Sequence, residues 1–445
     1  MAKIYNLTLG YRLARRYIHF TYRQFYTKLT VLGKENIPHN GPVIIAPNHQ
    51  NALMDALLVL QATPWKLTTV FVARGDIFKK GFVINALRFM KILPAFRMRD
   101  GYENLGKNDA TFEEAREVLE TGNSLCIFPE GNQADKMKLQ PLVKGIFRIA
   151  FSAQERIGEA KDIKILPVGI DYTDRQHFGE DVLINYGELI SVSEFLPAYK
   201  ENPAIGINKF RSVLHEKIRA MMVHLDTENF YECYETAVEV CNKKMCEKLY
   251  GCNCSPISRF YARQETAKIL KKIETDEPEK IEHLGKICSE YRKLKAKLKT
   301  NTASIEKPYN WFTFVLHNIF LLLTFPVFVV GALLNIIPFV LPGFIRQKIG
   351  VKYNGFFSSF HFVLGTLISF PLLYIIQTVL FAIFVCSTWW VVILFIIGQF
   401  VFGKLAFCWF KSAKKCVLKT RLLFANKKLK TKIYELYNEI NALVV

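Results

Sequence analysis

Two stretches of this chain contain no Asp, Glu, Lys or Arg: residues 308–345 and 353–403, of 38 and 51 residues in a chain of 445. They constrain the fold because a helix that spans a bilayer needs only roughly 20 consecutive apolar residues. As helix, the longer block would extend about 76 Å, enough for two spans and a tight turn. The shorter would extend about 57 Å, long for one span and short for two. Pro326 lies near the middle of the shorter block and Pro338 near its end, and Arg346, Lys348 and Lys352 separate the two. If that linker is cytoplasmic, the first block re-enters and leaves on one side. If it is external, the first block crosses once and the second an odd number of times. Positive flanks on all sides favour two hairpins. Charge-free blocks argue against an ion or proton transporter, which normally needs ionisable groups within the membrane.

The basic excess is as local as the apolar one. The net charge is +20, and hydrophobic residues make up 51% of the chain, which excludes a disordered or collagen-like protein. Residues 1–34 carry seven Lys or Arg and residues 404–432 carry ten, with no acid in either segment, so these two account for +17. The second block follows the last apolar stretch directly. Such placement marks a cytoplasmic membrane flank that attracts anionic headgroups, rather than a nucleic-acid surface. In residues 1–27, Arg12, Arg15, Arg16 and Arg23 interleave with Tyr5, Tyr11, Tyr17, Phe20, Tyr22, Phe25 and Tyr26. The arginines interrupt any signal-peptide core. The pattern predicts a basic amphipathic helix lying in the bilayer interface; the alternative is a helix packed on the first domain. The expected partner is thus an anionic bilayer, with no nucleic acid, and the first 300 residues are expected on the cytoplasmic side. The ten cysteines are then expected as reduced thiols, and the spacing of Cys241, Cys246, Cys252 and Cys254 is no familiar zinc pattern.

Between residues 28 and 204 strand and helix alternate, which predicts an α/β domain with a covered mixed sheet. Strands are expected over 41–46, 67–72, 124–128, 163–170 and 182–186, and helices over 109–121 and 141–157, the latter opened by Pro141. Residues 205–307 read as a helical linker region, 308–403 as a membrane domain of two apolar blocks with transmembrane helices, and 404–445 as a basic cytoplasmic tail helix.

Four segments of the α/β domain carry chemistry. The first strand runs into Pro47-Asn48-His49, with Asp55 six positions beyond the histidine. A carboxylate that holds an imidazole in one tautomer lets it take a proton from a substrate hydroxyl. A later strand runs into Phe128-Pro129-Glu130-Gly131, which places a carboxylate at a sheet edge where ligands bind in open α/β folds. Between them, Arg97 and Arg99 follow Pro94 in an extended stretch and share a face suited to clamping a phosphate. The fourth segment, Leu166-Pro167-Val168-Gly169, reads as a core strand with a Pro kink.

In this order and at these distances the four segments resemble the glycerophospholipid acyltransferase family, which acylates glycerol-3-phosphate and lysophosphatidate. The resemblance covers roughly residues 30–190. Asn48, His49 and Asp55 are similar to that family's Asn-His-x4-Asp motif with one extra residue, a spacing that looks like the fungal-type glycerol-3-phosphate and dihydroxyacetone-phosphate enzymes. Residues 128–131 match its Phe-Pro-Glu-Gly motif in full, and Arg97 or Arg99 stands for its phosphate-binding arginine. Asn132-Gln133 follow where many members carry Thr or Ser and then Arg.

The resemblance implies a membrane-bound O-acyltransferase of phospholipid biosynthesis, with the fatty acyl group passing from a thioester donor to glycerol-3-phosphate or 1-acylglycerol-3-phosphate. It implies His49 and Asp55 as catalytic residues and Arg97, Arg99, Glu130 and Gly131 as substrate-binding ones. Acyl-CoA or acyl-carrier protein is then a co-substrate, and no cofactor or metal is called for. Because one extra residue would turn Asp55 by about 100° on a regular helix, the pairing requires His49 in the loop before the helix. Two alternatives are a lysophospholipid acyltransferase with another acceptor and a non-catalytic membrane scaffold of the same fold.

Overall fold

Five consecutive buried residues, Val43–Pro47, form a strand covered on both faces, and such strands occur in sheets with helices packed on each side. The computed structural model describes residues 3–78, 81–95, 107–133, 135–251, 254–351 and 354–445. It divides into two units, Met1–His224 with Lys352–Ser359, and Leu225–Val351 with Phe360–Val445.

The first unit begins with helix α1 (Leu9–Phe25), whose Thr8 Oγ accepts a hydrogen bond from the Tyr11 amide at the N-cap. The strands are β1 (Lys28–Leu32), β2 (Val43–Pro47), β3 (Thr69–Arg74), β4 (Ile92–Ala95), β5 (Ser124–Cys126), β6 (Lys164–Tyr172), β7 (Asp181–Tyr186) and β8 (Ile190–Ser191). They form one sheet in the order β1-β7-β6-β2-β5-β3-β4, with β8 also on β6. Every pairing is parallel except those of β6 with β7 and β8. The crossover helices are α2 (Ala52–Ala62), α3 (Gly81–Phe89), α4 (Lys107–Glu120) and α5 (Gly145–Ile157), followed by α6 (Leu196–Glu201) and α7 (Pro203–Met221). Ile44, Val70, Leu125 and Ile165 of adjacent strands pack with Phe147 and Phe151 of α5 and Phe210 of α7 in one core.

Two sequence expectations change here. Helix α5 starts at Gly145, not at Pro141, because the Gln140 and Val143 amides bond to Glu130 and to the Pro129 carbonyl. The first unit extends to His224, past the expected boundary at 204. Helix α7 packs on β6, and a Cβ on Gly169 would lie 2.1 Å from the Met221 carbonyl oxygen, so only glycine permits that approach. Helix α1 buries Tyr11, Arg15, Ile18, Tyr22 and Phe25 within the unit, yet it exposes Leu9, Leu13 and Phe20.

In the second unit, α8 (Tyr231–Tyr250), α9 (Pro256–Asp276), α10 (Pro278–Lys297) and the short α11 (Thr302–Glu306) lead into α12 (Trp311–Ile349). Helix α12 is a single helix of 39 residues with Pro326, Pro338 and Pro342 inside it. The expectation that the first apolar block folds as a hairpin therefore fails. Proline does not end a helix in apolar surroundings when neighbouring groups satisfy the freed carbonyls. The second block does form two helices. One joins α13 (Phe357–Phe360), a π-helical segment (His361–Ser369) and α14 (Phe370–Phe384). The other, α15 (Trp389–Leu423), runs unbroken through the expected boundary at 403, so the basic segment begins inside it. Helix α16 (Lys427–Val444) then packs against α8 and α10.

Among the described residues, three helices are thus long and apolar enough to cross a membrane: Trp311–Ile349, Phe357–Phe384 and Trp389–Leu423. Helices α12 and α15 meet where Gly331 lies against Phe402 and Ala406, and Gly403 against Asn335. Small residues of this kind let apolar helices approach closely. The Asn335 side chain donates to the Gly331 and Gln399 carbonyls at 2.9 and 3.2 Å and accepts from the Tyr374 hydroxyl at 2.6 Å.

Candidate active site

Strands β2 and β5 lie side by side and parallel, with Ile45 opposite Cys126, so their carboxyl ends open on the same edge of the sheet. That edge is where ligands bind in open α/β folds. The segment after β2 carries His49 and the segment after β5 carries Glu130.

Asn48 fixes the exit from β2. Its side-chain nitrogen donates to the Ile170 carbonyl at 3.2 Å, and its side-chain oxygen accepts from the Ile170 amide at 2.6 Å. A side-chain amide thereby continues the ladder to β6 where the backbone turns away. His49 sits in the loop before α2, and Asp55 in the first turn of that helix. Ala52, the first residue of α2, has φ +42°. This left-handed residue takes up the extra position between histidine and aspartate, so Asp55 folds back under the loop.

His49 Nδ1 lies 2.9 Å from Asp55 Oδ2. Asp55 is fully buried and His49 is 18% exposed, so the carboxylate is shielded while the ring reaches the surface. The same Oδ2 accepts from the Gln50 and Asn51 amides at 2.8 and 2.7 Å, and Oδ1 accepts from the Tyr172 hydroxyl at 2.7 Å. Four hydrogen-bond partners thus surround one carboxylate. Tyr172 ends β6 and lies beside Tyr26, with ring centroids 6.0 Å apart; Tyr26 in turn neighbours Tyr22 at 5.0 Å. Burial pushes all three phenols well above their ordinary range, so they remain neutral donors.

The Phe128 ring stacks on His49 with centroids 4.1 Å apart. Glu130 Oε1 accepts from the His49 amide at 2.6 Å, and Oε2 accepts from the Gln140 amide at 2.8 Å. The carboxylate therefore ties the His49 loop to the segment before α5. Burial raises its carboxyl to about 7, against the lowering effect of those two amides. Gly131 closes the turn at φ +66°, and its amide donates to the Phe128 carbonyl at 3.2 Å.

The structure brings His49, Asp55, Glu130 and Gly131 to one edge. Arg97 and Arg99 lie outside the described residues. Tyr172 was missed because the strand was read as ending at Ile170. The signal was a tyrosine at the end of an apolar run, whose hydroxyl needs a buried partner.

A buried aspartate thus lies behind a partly buried imidazole at the carboxyl edge of a mixed sheet. Residues 28–171 match the family model described as Acyltransferase. The chain is 30% identical over 103 residues to glycerol-3-phosphate O-acyltransferase 2 of Saccharomyces cerevisiae, covering 23% of this chain and 14% of that protein. It is 23% identical over 216 residues to the chloroplastic 1-acyl-sn-glycerol-3-phosphate acyltransferase LPAT1 of Arabidopsis thaliana, covering 48% of this chain and 55% of that protein. The chain therefore spans at most about half the length of these curated relatives. The crystal structure of the 1-acyl-sn-glycerophosphate acyltransferase PlsC from Thermotoga maritima aligns at a TM-score of 0.35 and 20% identity, over 47% of this chain and 80% of that one.

Proposed function

We infer that this protein is a membrane-bound O-acyltransferase of phospholipid synthesis. In this reading it moves a fatty acyl group from a thioester to a hydroxyl of glycerol-3-phosphate or 1-acylglycerol-3-phosphate. The observation that carries the reading is the 2.9 Å contact between His49 Nδ1 and Asp55 Oδ2, set beside Phe128-Pro129-Glu130-Gly131 in a domain that matches the Acyltransferase model. The names of the yeast and plant relatives support the two acceptors.

In the proposed reaction, Asp55 holds the Nδ1–H of His49, which leaves Nε2 free to accept a proton. The acceptor hydroxyl gives that proton to Nε2 as its oxygen attacks the thioester carbonyl. A carbon–oxygen bond forms, the carbon–sulfur bond breaks, and the proton passes from the imidazolium to the leaving thiolate. General-base assistance of this kind contributes about 10²–10⁴ in rate. Glu130 keeps the His49 backbone in place, Gly131 leaves room at the turn for the glycerol, and Arg97 with Arg99 holds the acceptor phosphate. Acyl-CoA or acyl-carrier protein is the donor, and the scheme calls for no further cofactor. Three apolar helices would keep the domain at the bilayer that receives the product. The flanking basic residues support a cytoplasmic orientation.

The test is to offer the purified full chain labelled acyl-CoA and labelled acyl-carrier protein with a panel of acceptors, and to identify the lipid formed. Acylated glycerol-3-phosphate or lysophosphatidate is expected from the unaltered protein and not from His49→Ala. Equal turnover by that variant would overturn the mechanism. Product only from lysolipids with larger headgroups would overturn the acceptor assignment.

A further inference from the structure

Away from the His49 edge, the first unit contains a cavity of about 630 Å³ between the first half of α1 and the loop that joins α2 to β3. Its lining includes Tyr11, Arg12, Arg15, Arg16, Trp65 and Lys66. Arg15 is the fixed element. It is 4% exposed, its Nη2 donates to the Thr63 carbonyl at 2.9 Å and reaches the Leu60 and Pro64 carbonyls at 3.4 and 3.3 Å, and its guanidinium lies 4.6 Å from the Trp65 ring centroid. The carbonyl end of α2 offsets part of its charge. Among the described residues no carboxylate pairs with Arg15, and none pairs with the exposed Arg12, Arg16 or Lys66.

Several cations around one cavity without a counter-charge repel one another, and the buried Arg15 also pays part of the cost of leaving water. An anion in the cavity removes that cost. Arginine fits a phosphate in particular, through paired N–H donors. The aromatic wall of Tyr11 and Trp65 suits a ligand with an apolar part. The same helix exposes Leu9, Leu13 and Phe20 at 73%, 55% and 56%, on a stripe beside Arg12, Arg16 and Arg23. Exposed apolar residues flanked by cations are the pattern of a helix at a lipid surface.

We propose that this cavity is a phosphate site that holds the headgroup of an anionic phospholipid, separate from the acyl-acceptor site. The two lie at opposite ends of α2. His49 precedes its first residue, whereas Arg15 contacts the residues that end it, and a helix of 11 residues is about 16 Å long. The site would seat α1 on anionic lipid, and it stands whether or not the His49 edge performs acyl transfer.

The experiment is calorimetric titration of the full chain in a non-ionic detergent with dihexanoyl phosphatidylglycerol, dihexanoyl phosphatidylcholine and inorganic phosphate. Phosphatidylglycerol is expected to bind at least tenfold more tightly than phosphatidylcholine. The triple variant Arg12→Ala, Arg16→Ala, Lys66→Ala, altered only at exposed side chains, should weaken phosphatidylglycerol at least tenfold and keep its thermal midpoint. His49→Ala should bind it unchanged, which separates this site from the acyl-transfer reading. If inorganic phosphate displaces the lipid at equal concentration, the phosphate site stands but its source is soluble. If phosphate does not displace it, the source is the membrane. Equal affinity for the two lipids, or an unchanged triple variant, would overturn the proposal.

Discussion

Tyr172 donates its phenolic hydrogen to Oδ1 of Asp55 at 2.7 Å, on the carboxylate oxygen opposite the one that faces His49. The aspartate is therefore held from both sides, by the imidazole and loop amides on Oδ2 and by the end of β6 on Oδ1. A hydrogen bond to a charged, buried group is worth roughly 1.5–3 kcal/mol.

Tyr172→Phe removes that bond with little change in volume. In the proposed reaction Tyr172 would act through Asp55, so the expected result is a fall of about tenfold or more in kcat with KM for the acceptor nearly unchanged. Steady-state kinetics of the two proteins side by side checks this. A change confined to KM would contradict it.

Glu130 makes stability depend on pH. Burial raises its folded-state carboxyl to about 7 from an ordinary 4.5, so the native state holds the proton more tightly than the unfolded chain. Its contribution is full below about pH 4.5 and is lost as pH rises through about 7, a change of the order of 3 kcal/mol. The thermal midpoint of wild type relative to Glu130→Gln should therefore drop between pH 5 and pH 8. A constant difference across that range would show that Glu130 does not titrate as described.

Ala52 adopts φ +42°, which costs an L-residue about 1–2 kcal/mol. Ala52→Gly should raise the thermal midpoint by the equivalent of about 1 kcal/mol and keep turnover. Ala52→Val should lower both, because a branched side chain resists that conformation and would pull His49 from Asp55. Differential scanning fluorimetry and a turnover assay read the two effects separately.

The crossing of α12 and α15 depends on Gly331, where a Cβ would lie 2.1 Å from the Phe402 carbonyl oxygen and 2.7 Å from the Ala406 Cβ. Gly331→Leu should separate the helices and destabilise the protein in detergent by about 1–3 kcal/mol or more. Leu333 is 74% exposed on the same helix, so Leu333→Ala serves as the control that leaves the midpoint unchanged.

The sequence by itself determined the elements whose physics is local. The runs of β2, β5 and β6 are apolar enough that burial is their only stable state, and α4 begins and ends near its charged start and its Gly122. The charge-free blocks required helices that avoid water. The pairing of His49 with Asp55 was legible through the resemblance, on the condition that the histidine sits in the loop before α2, where the structure has it.

The tertiary structure alone decided the rest. Strand β1 pairs with β7, about 150 positions further on, and no local pattern encodes that partner. The chain from Gln140 to Lys144 carries a helical composition, but long-range hydrogen bonds to Glu130 and Pro129 hold it out of α5. Proline in the first apolar block could kink, break or simply sit within a helix, and it sits within one because α12 packs along α15. Tyr172 became part of the site only when β6 was aligned beside β2. Periodicity reports which face of an element is buried, whereas the partner it meets is set by contacts between residues far apart in the chain.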